Sequence, residues 1–231
     1  MGTVITLSRQ LGAGGAEIAC GVAAELGLRL VGRQIINEAI EGCVIEDIPL
    51  DVDESRATTI QRALDFIRGR PPATANVPVA NLSEPGVLST TRFHADEYYR
   101  SVLESILFDL SQQDNVLILG QASQVILRDR PGAFHIRVVA PLNARIKTIQ
   151  TRFGLITEKA KHAIESSDRA RAEYLKRHYK ANIDDAKLYD LTINTSKVAP
   201  PQAVELILSA LPESGLLPTE APLACSIEGC A

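Results

Sequence analysis

The chain has 231 residues and a mass of 25.0 kDa, enough for one sizeable domain or for one domain carrying a small insertion. With 45% hydrophobic and 23% charged residues it is ordinary globular material, not a largely disordered chain, and its net charge of −4 argues against a general nucleic-acid binder. The balance is uneven, since Glu41, Glu46, Asp47, Asp51, Asp53 and Glu54 crowd one segment while 128–180 is rich in Arg and Lys, which leaves room for a local anion site.

The N-terminus carries no basic stretch and no apolar run long enough for a signal peptide or membrane span, which places the protein in the cytoplasm without membrane attachment. Thr3–Ser8 is β-branched and apolar, a glycine cluster follows, and Ala16–Leu26 has apolar residues at helical spacing; the three read as strand, loop and helix. Leu28–Val31 predicts a second strand and Gln34–Glu41 a second helix, with 44–56 acidic and irregular. Ser55 is suited to cap a helix reaching about Arg68. Residues 69–89 contain Pro71, Pro72, Pro78 and Pro85 with little periodicity, a long arm and a candidate for homodimer contacts. A long amphipathic helix follows over His94–Gln113, with Tyr98, Val102, Ile106 and Leu110 on one face.

Val116–Leu119 and His135–Ala140 are continuous apolar runs of the kind buried on both faces of a sheet, and each precedes a helical segment. Asn143–Phe153 and Thr157–Ala181 are helical and basic, broken at Gly154; Leu191–Asn194 is a last short strand and Pro201–Leu211 a last helix. Alternating strands and helices predict a parallel sheet in an α/β fold. One domain over 1–211 is expected, with an insertion near 44–95, a lid region near 145–185 and a loose tail over 212–231. Cys20 and Cys43 fall in helical stretches and read as buried thiols; Cys225 and Cys230, in the tail, read as free.

The segment Ser8-Arg-Gln-Leu-Gly-Ala-Gly-Gly-Ala-Glu17 joins the first strand to the first helix. Glycines permit positive φ and close approach, and successive N–H groups with a helix N-terminus attract phosphate, so Gly12, Ala13, Gly14, Gly15, Ala16 and Glu17 are the candidate phosphate-binding residues. A merely tight strand-to-helix turn is the simpler alternative. A dinucleotide fingerprint requires a third glycine where Glu17 stands. A Walker-type loop fits the length better but requires lysine where Gly15 stands if Gly14 is its last glycine, and a following Ser or Thr that is absent. Arg9 is the loop's own cation and the candidate replacement, since a guanidinium matches phosphate oxygens.

Five blocks in order, Ile5-Thr-Leu-Ser-Arg-Gln-Leu-Gly-Ala-Gly-Gly15, Val116-Leu-Ile-Leu-Gly-Gln-Ala122, His135-Ile-Arg-Val-Val-Ala-Pro141, Asp168-Arg-Ala-Arg-Ala-Glu-Tyr174 and Tyr189-Asp-Leu-Thr-Ile-Asn-Thr195, resemble the cytidylate kinase-like family over residues 3 to about 211. The resemblance implies a three-layer P-loop NTPase-like fold with a five-stranded parallel sheet and a helical lid and insertion. It implies transfer of the ATP γ-phosphoryl group to a nucleoside monophosphate, CMP or dCMP, with Mg²⁺; a non-catalytic nucleotide sensor or interaction protein is the alternative that the missing lysine raises. Arg9, Arg145, Arg169 and Arg171 are then the catalytic candidates, and Tyr98, Arg100 and Arg152 the substrate-binding ones, each also readable as a solvated or packing residue. The family usually shows Gly-Arg where this chain has Gly120-Gln121, and often an acid where it has Gly32, so the Mg²⁺ ligands are unassigned. His94 and His135 read as structural, and Asp190, Asn194 and Thr195 as either adenine-framing or turn-forming.

Overall fold

A computed structural model describes residues 3–44, 52–69, 97–113 and 115–211. Five strands, β1 (Val4–Arg9), β2 (Arg29–Gly32), β3 (Val116–Leu119), β4 (Ala133–Val139) and β5 (Leu191–Asn194), form one parallel sheet in the order β2-β3-β1-β4-β5. The helices are α1 (Gly15–Glu25), α2 (Arg33–Val44), α3 (Val52–Arg68), α4 (Glu97–Gln113), α5 (Ser123–Ile126), α6 (Leu142–Phe153), α7 (Thr157–Tyr179) and α8 (Pro200–Ala210). This is an α/β architecture with helices packed on both faces of a five-stranded parallel sheet, as the resemblance implied. Among the described residues no helix is long and apolar enough to cross a membrane.

Successive side chains of a strand point to opposite faces, so each strand supplies two cores. Ile5 and Leu7 of β1 with Leu117 and Leu119 of β3 meet Ile18, Ala19 and Val22 of α1 and Ala203 and Ile207 of α8. Val4, Val116 and Ile118 face the other way, onto Leu64 and Ile67 of α3 and Val102, Leu103, Ile106, Leu107 and Leu110 of α4. The α4 positions follow the helical repeat that the apolar pattern predicted; the side chain of Tyr98 lies outside the described residues. On the first face Gly21 lets α8 approach α1 closely, because a Cβ there would stand 2.7 Å from a Val204 methyl.

Most element ends fall within a few residues of the expected ones, and two differences change how a segment is read. The helix α3 starts at Val52, which puts Ser55 inside it instead of at its cap. The acidic stretch is correspondingly shorter than 44–56, since Val44 ends α2 and 52–56 belong to α3. The arm at 70–89, His94 and the tail at 212–231, with Cys225 and Cys230, lie outside the described residues, as does the side chain of Cys43.

Beneath the sheet's functional edge, His135 is buried with Nδ1 2.8 Å from the Thr6 hydroxyl, and its backbone is paired with Asp190, whose carboxylate accepts from the His135 N–H at 2.7 Å. Burial holds the imidazole below its ordinary value, partly offset by Asp190. The unfolded chain therefore takes up the proton first, so His135's contribution to stability is complete above about pH 6.5 and is lost as pH falls below it. Urea titrations at about pH 7.5 and 5 should show a smaller pH-dependent loss of stability in His135→Asn than in the parent; equal losses would contradict this.

Candidate functional site

Strand β1 lies between β3 and β4, so the strands that follow it in sequence lie to both sides and leave a crevice at its carboxyl end, where open α/β sheets bind ligands. The glycine loop sits there. Gly12 (φ 81°) and Gly14 (φ 72°) adopt left-handed backbone, and Gly14 is the N-cap of α1 with no side chain to satisfy the helix's first N–H groups. At Gly12 any side chain is also excluded by space, because its Cβ would stand 2.8 Å from the Arg145 carbonyl oxygen.

The loop's carbonyl oxygens are occupied by the rest of the protein. Arg171 donates to the carbonyl of Arg9, Arg145 Nη1 to that of Leu11 at 3.5 Å, the Ala13 N–H to that of Gln10 at 3.2 Å, and the Thr195 hydroxyl to that of Ala13 at 2.9 Å. The Gly14 carbonyl accepts from Ile18 at 3.2 Å as α1 begins. Gln10 pins the loop further, with its N–H on Val138 at 3.0 Å and its side-chain oxygen on the Ala140 N–H at 3.1 Å. Five of the loop's acceptors are thus engaged, while the N–H groups at the start of α1 have no side-chain cap, which is the polarity an anion needs.

Helices α6 and α7 form a hairpin closed by Ile146, Ile149, Ala160 and Ile164, and Leu11 of the loop packs against this cluster. The hairpin delivers Arg145 and Arg171. Arg145 is 6% exposed, donates Nε to the Ala140 carbonyl at 3.0 Å, and pairs with Asp168 at 2.6 Å. Asp168 also faces Arg171 at 4.0 Å, and Arg171 is further held by Ser167 at 2.8 Å. Arg137 of β4, 5% exposed, reaches Ser8 at 2.8 Å and Asp184 at 3.2 Å and lies over the Tyr189 ring.

These cations repel one another. Loss of hydration, together with the charges of Arg171 and Arg33, pulls Arg9 down to about 9. Arg171 is pulled down to about 10 by burial and by Arg33, Arg137 and Arg145, against the support of Asp168. Both remain protonated at neutral pH, and an arriving polyanion would relieve their mutual repulsion.

Of the residues read from the sequence, Arg9, Arg145, Arg171 and the 12–17 segment converge here. Glu17 is exposed in the first turn of α1. Arg169, one position from Asp168, is exposed and is not among the charges that bear on Arg9 or Arg171. Arg152 is exposed beside the Phe153 ring, and Arg100 is engaged by Glu97 and Glu104 with Nη1 3.3 Å from His178 Nδ1. Asn194 accepts from Ser196 in a turn, and Thr195 serves the loop. The sequence reading assigned no role to Arg33, Arg137 or Asp168. A charged residue inside the apolar run of β4 was the available signal for Arg137, and the i, i+3 spacing of Asp168 and Arg171 the signal for the acid.

Two substitutions check the construction. Gly12→Ala combines left-handed strain with overlap on the Arg145 backbone and should cost about 2–4 kcal/mol, whereas Gly27→Ala, at φ 60° with nothing within 4 Å, should cost only about 1–2 kcal/mol; urea denaturation separates them. Asp168→Asn removes the shared counter-charge of Arg145 and Arg171 and should cost about 2 kcal/mol, regained in part on adding inorganic phosphate. An unchanged melting temperature in Asp168→Asn would contradict its bridging role.

The cytidylate kinase-like family matches residues 4–197. Among curated proteins, the cytidylate kinase of Sulfolobus acidocaldarius is 29% identical over 107 residues, covering 46% of this chain and 58% of that enzyme. The cytidylate kinase of Thermoplasma acidophilum is 22% identical over 141 residues, 61% of this chain and 73% of that one. A uronate isomerase of Corynebacterium glutamicum is 27% identical over 129 residues, 56% of this chain but 24% of the isomerase, a minor part of that enzyme. The chain thus spans about a quarter and somewhat over half of the first two relatives' lengths. An uncharacterized protein from Eubacterium ventriosum shares the fold, with a TM-score of 0.61 at 15% identity over 90% of this chain and 98% of that one. On the match across residues 4–197, the chain belongs to the cytidylate kinase-like family.

Proposed function

We propose that this protein transfers the γ-phosphoryl group of ATP to a nucleoside monophosphate, CMP or dCMP, with Mg²⁺. The observation that carries the reading is the loop at residues 9–17, its carbonyls engaged, its helix N-terminus uncapped, and its rim formed by Arg9, Arg145 and Arg171. Phosphoryl transfer asks little covalent chemistry of a protein; it asks for positioning and for positive charge where the equatorial oxygens lie. The loop and the start of α1 hold the donor phosphates, while Arg145 and Arg171 place charge over them from the α6–α7 hairpin. That hairpin excludes water, whose attack would hydrolyse ATP.

Mg²⁺ supplies charge neutralisation between phosphate oxygens and is usually held by one or two carboxylates with substrate oxygens and water. Among the described residues no group of three or more His, Cys, Asp or Glu is gathered, and Glu17 is the loop's own carboxylate.

A second reading, a nucleotide sensor without turnover, is favoured by one feature: position 15 is glycine and has no room for a lysine, since its Cβ would stand 2.7 Å from the Cβ of Arg9. A coupled assay of ATP with CMP, dCMP, UMP and AMP separates the two. Turnover with CMP or dCMP above the others is expected. Stabilisation by ATP with turnover of none would establish the sensor, and no stabilisation by any nucleotide would overturn both.

A further inference from the structure

Resting on the phosphotransfer reading, we infer that Arg9, from the end of β1, is the catalytic cation of this site, supplying from the strand side of the loop the charge that a P-loop lysine supplies from the helix side. The two arrangements exclude each other sterically. A Cβ at Gly15 would meet Arg9 Cβ at 2.7 Å and Arg9 Cδ at 3.1 Å, so the stem of Arg9 runs through the space that a side chain at 15 would leave by. Glycine at 15 is therefore the counterpart of arginine at 9, not a separate loss.

The direction of the stem is fixed by the backbone. The Arg9 carbonyl is held by Arg171, and the next N–H, of Gln10, is bonded to Val138 at 3.0 Å, so the end of β1 cannot swing. From there Arg9 crosses toward the end of β3, where Nη1 lies 3.7 Å from the position a Gly120 Cβ would take. The guanidinium consequently lies across the carboxyl ends of β1 and β3, in the crevice next to the uncapped start of α1. Gly120 itself is left-handed (φ 82°) and offers no side chain there. Beside Arg171 and Arg33, and with part of its hydration lost, Arg9 gains more from an arriving phosphate than a fully solvated arginine would.

In the step itself an oxygen of the acceptor phosphate forms a bond to the γ-phosphorus as the bond from that phosphorus to the β–γ bridging oxygen breaks. The bond's electron pair stays on that oxygen, which becomes a terminal β-phosphate oxygen of ADP. Arg9 keeps its protons throughout and contributes hydrogen bonds and charge to the β- and γ-phosphate oxygens.

The test is an exchange of the cation between its two positions. Arg9→Ala should lower kcat about 100-fold or more. Gly15→Lys alone should fold poorly and be inactive, because its stem collides with Arg9, whereas Arg9→Ala with Gly15→Lys should recover at least tenfold over Arg9→Ala. Millimolar guanidinium added to Arg9→Ala should also restore turnover, a rescue that a purely packing role would not show and that does not depend on the double variant folding. Wild-type kcat in Arg9→Ala, or failure of guanidinium to rescue a folded Arg9→Ala, would overturn the inference. If the wild type phosphorylates none of the four monophosphates, the phosphotransfer reading fails by itself; affinity for tripolyphosphate then decides on Arg9, with a loss of tenfold or more in Arg9→Ala supporting its contact with the phosphate chain and an unchanged affinity refuting it.

Discussion

A backbone peptide unit has a donor and an acceptor, and the site depends on which of the two the glycine loop spends internally. Carbonyls 9, 10, 11, 13 and 14 are all taken, by Arg171, Ala13, Arg145, Thr195 and Ile18 in turn. With these five acceptors engaged, the N–H groups at the uncapped start of α1 are what the loop offers to an anion, and glycines 12 and 14 take the left-handed backbone that the turn requires. The arginines of α6 and α7 thus do structural work on the loop's back while their charge acts on its front. One set of side chains fixes both the geometry and the potential of the site.

That economy has an energetic cost. Arg137 and Arg145 are nearly buried, Arg9 and Arg171 are partly buried, and Asp168 and Asp184 are among the acids paired with the group. Burying cations together is unfavourable unless something compensates, and the hydrogen bonds to Ser8, Ser167, Ala140 and the loop carbonyls contribute to that compensation. Cations gathered and held in this way would leave little to move if an anion arrived, and part of their mutual repulsion would be released on binding.

Much of the fold was legible because buried parallel strands are short apolar runs with clear ends. Val116–Leu119 and Leu191–Asn194 match their predicted spans, and the apolar repeat of α4 follows from its period. Helix starts were less legible: Ser55 has the chemistry of a cap worth about 1 kcal/mol, yet α3 already runs from Val52. The glycine loop was readable from its place between strand and helix. The lid arginines were not separable by composition, since 145, 152, 169 and 171 all lie in one basic region. Helix geometry separates them: Asp168, Arg171 and Leu175 share a face at spacings of three and four, while Arg169 is turned about 100° from Asp168 and meets solvent. Nor could the dependence of Gly15 on Arg9 be read, because it is a contact across a turn whose shape the residue letters do not give.

The hydrogen bond from Thr195 to Ala13 joins positions 182 residues apart, and β1 has no sheet neighbour until β3 and β4 exist. During synthesis at about 5–20 residues per second, the first strand and its loop would wait on the order of 10–40 s before the residue that fastens the loop emerges. A segment made well before its partner is thus among the last to be finished, and contacts of such long range close slowly. Until then the N-terminal strand is an apolar segment with two open edges, dependent on something to keep it from pairing elsewhere, and the site takes its shape only when the far end of the domain has arrived.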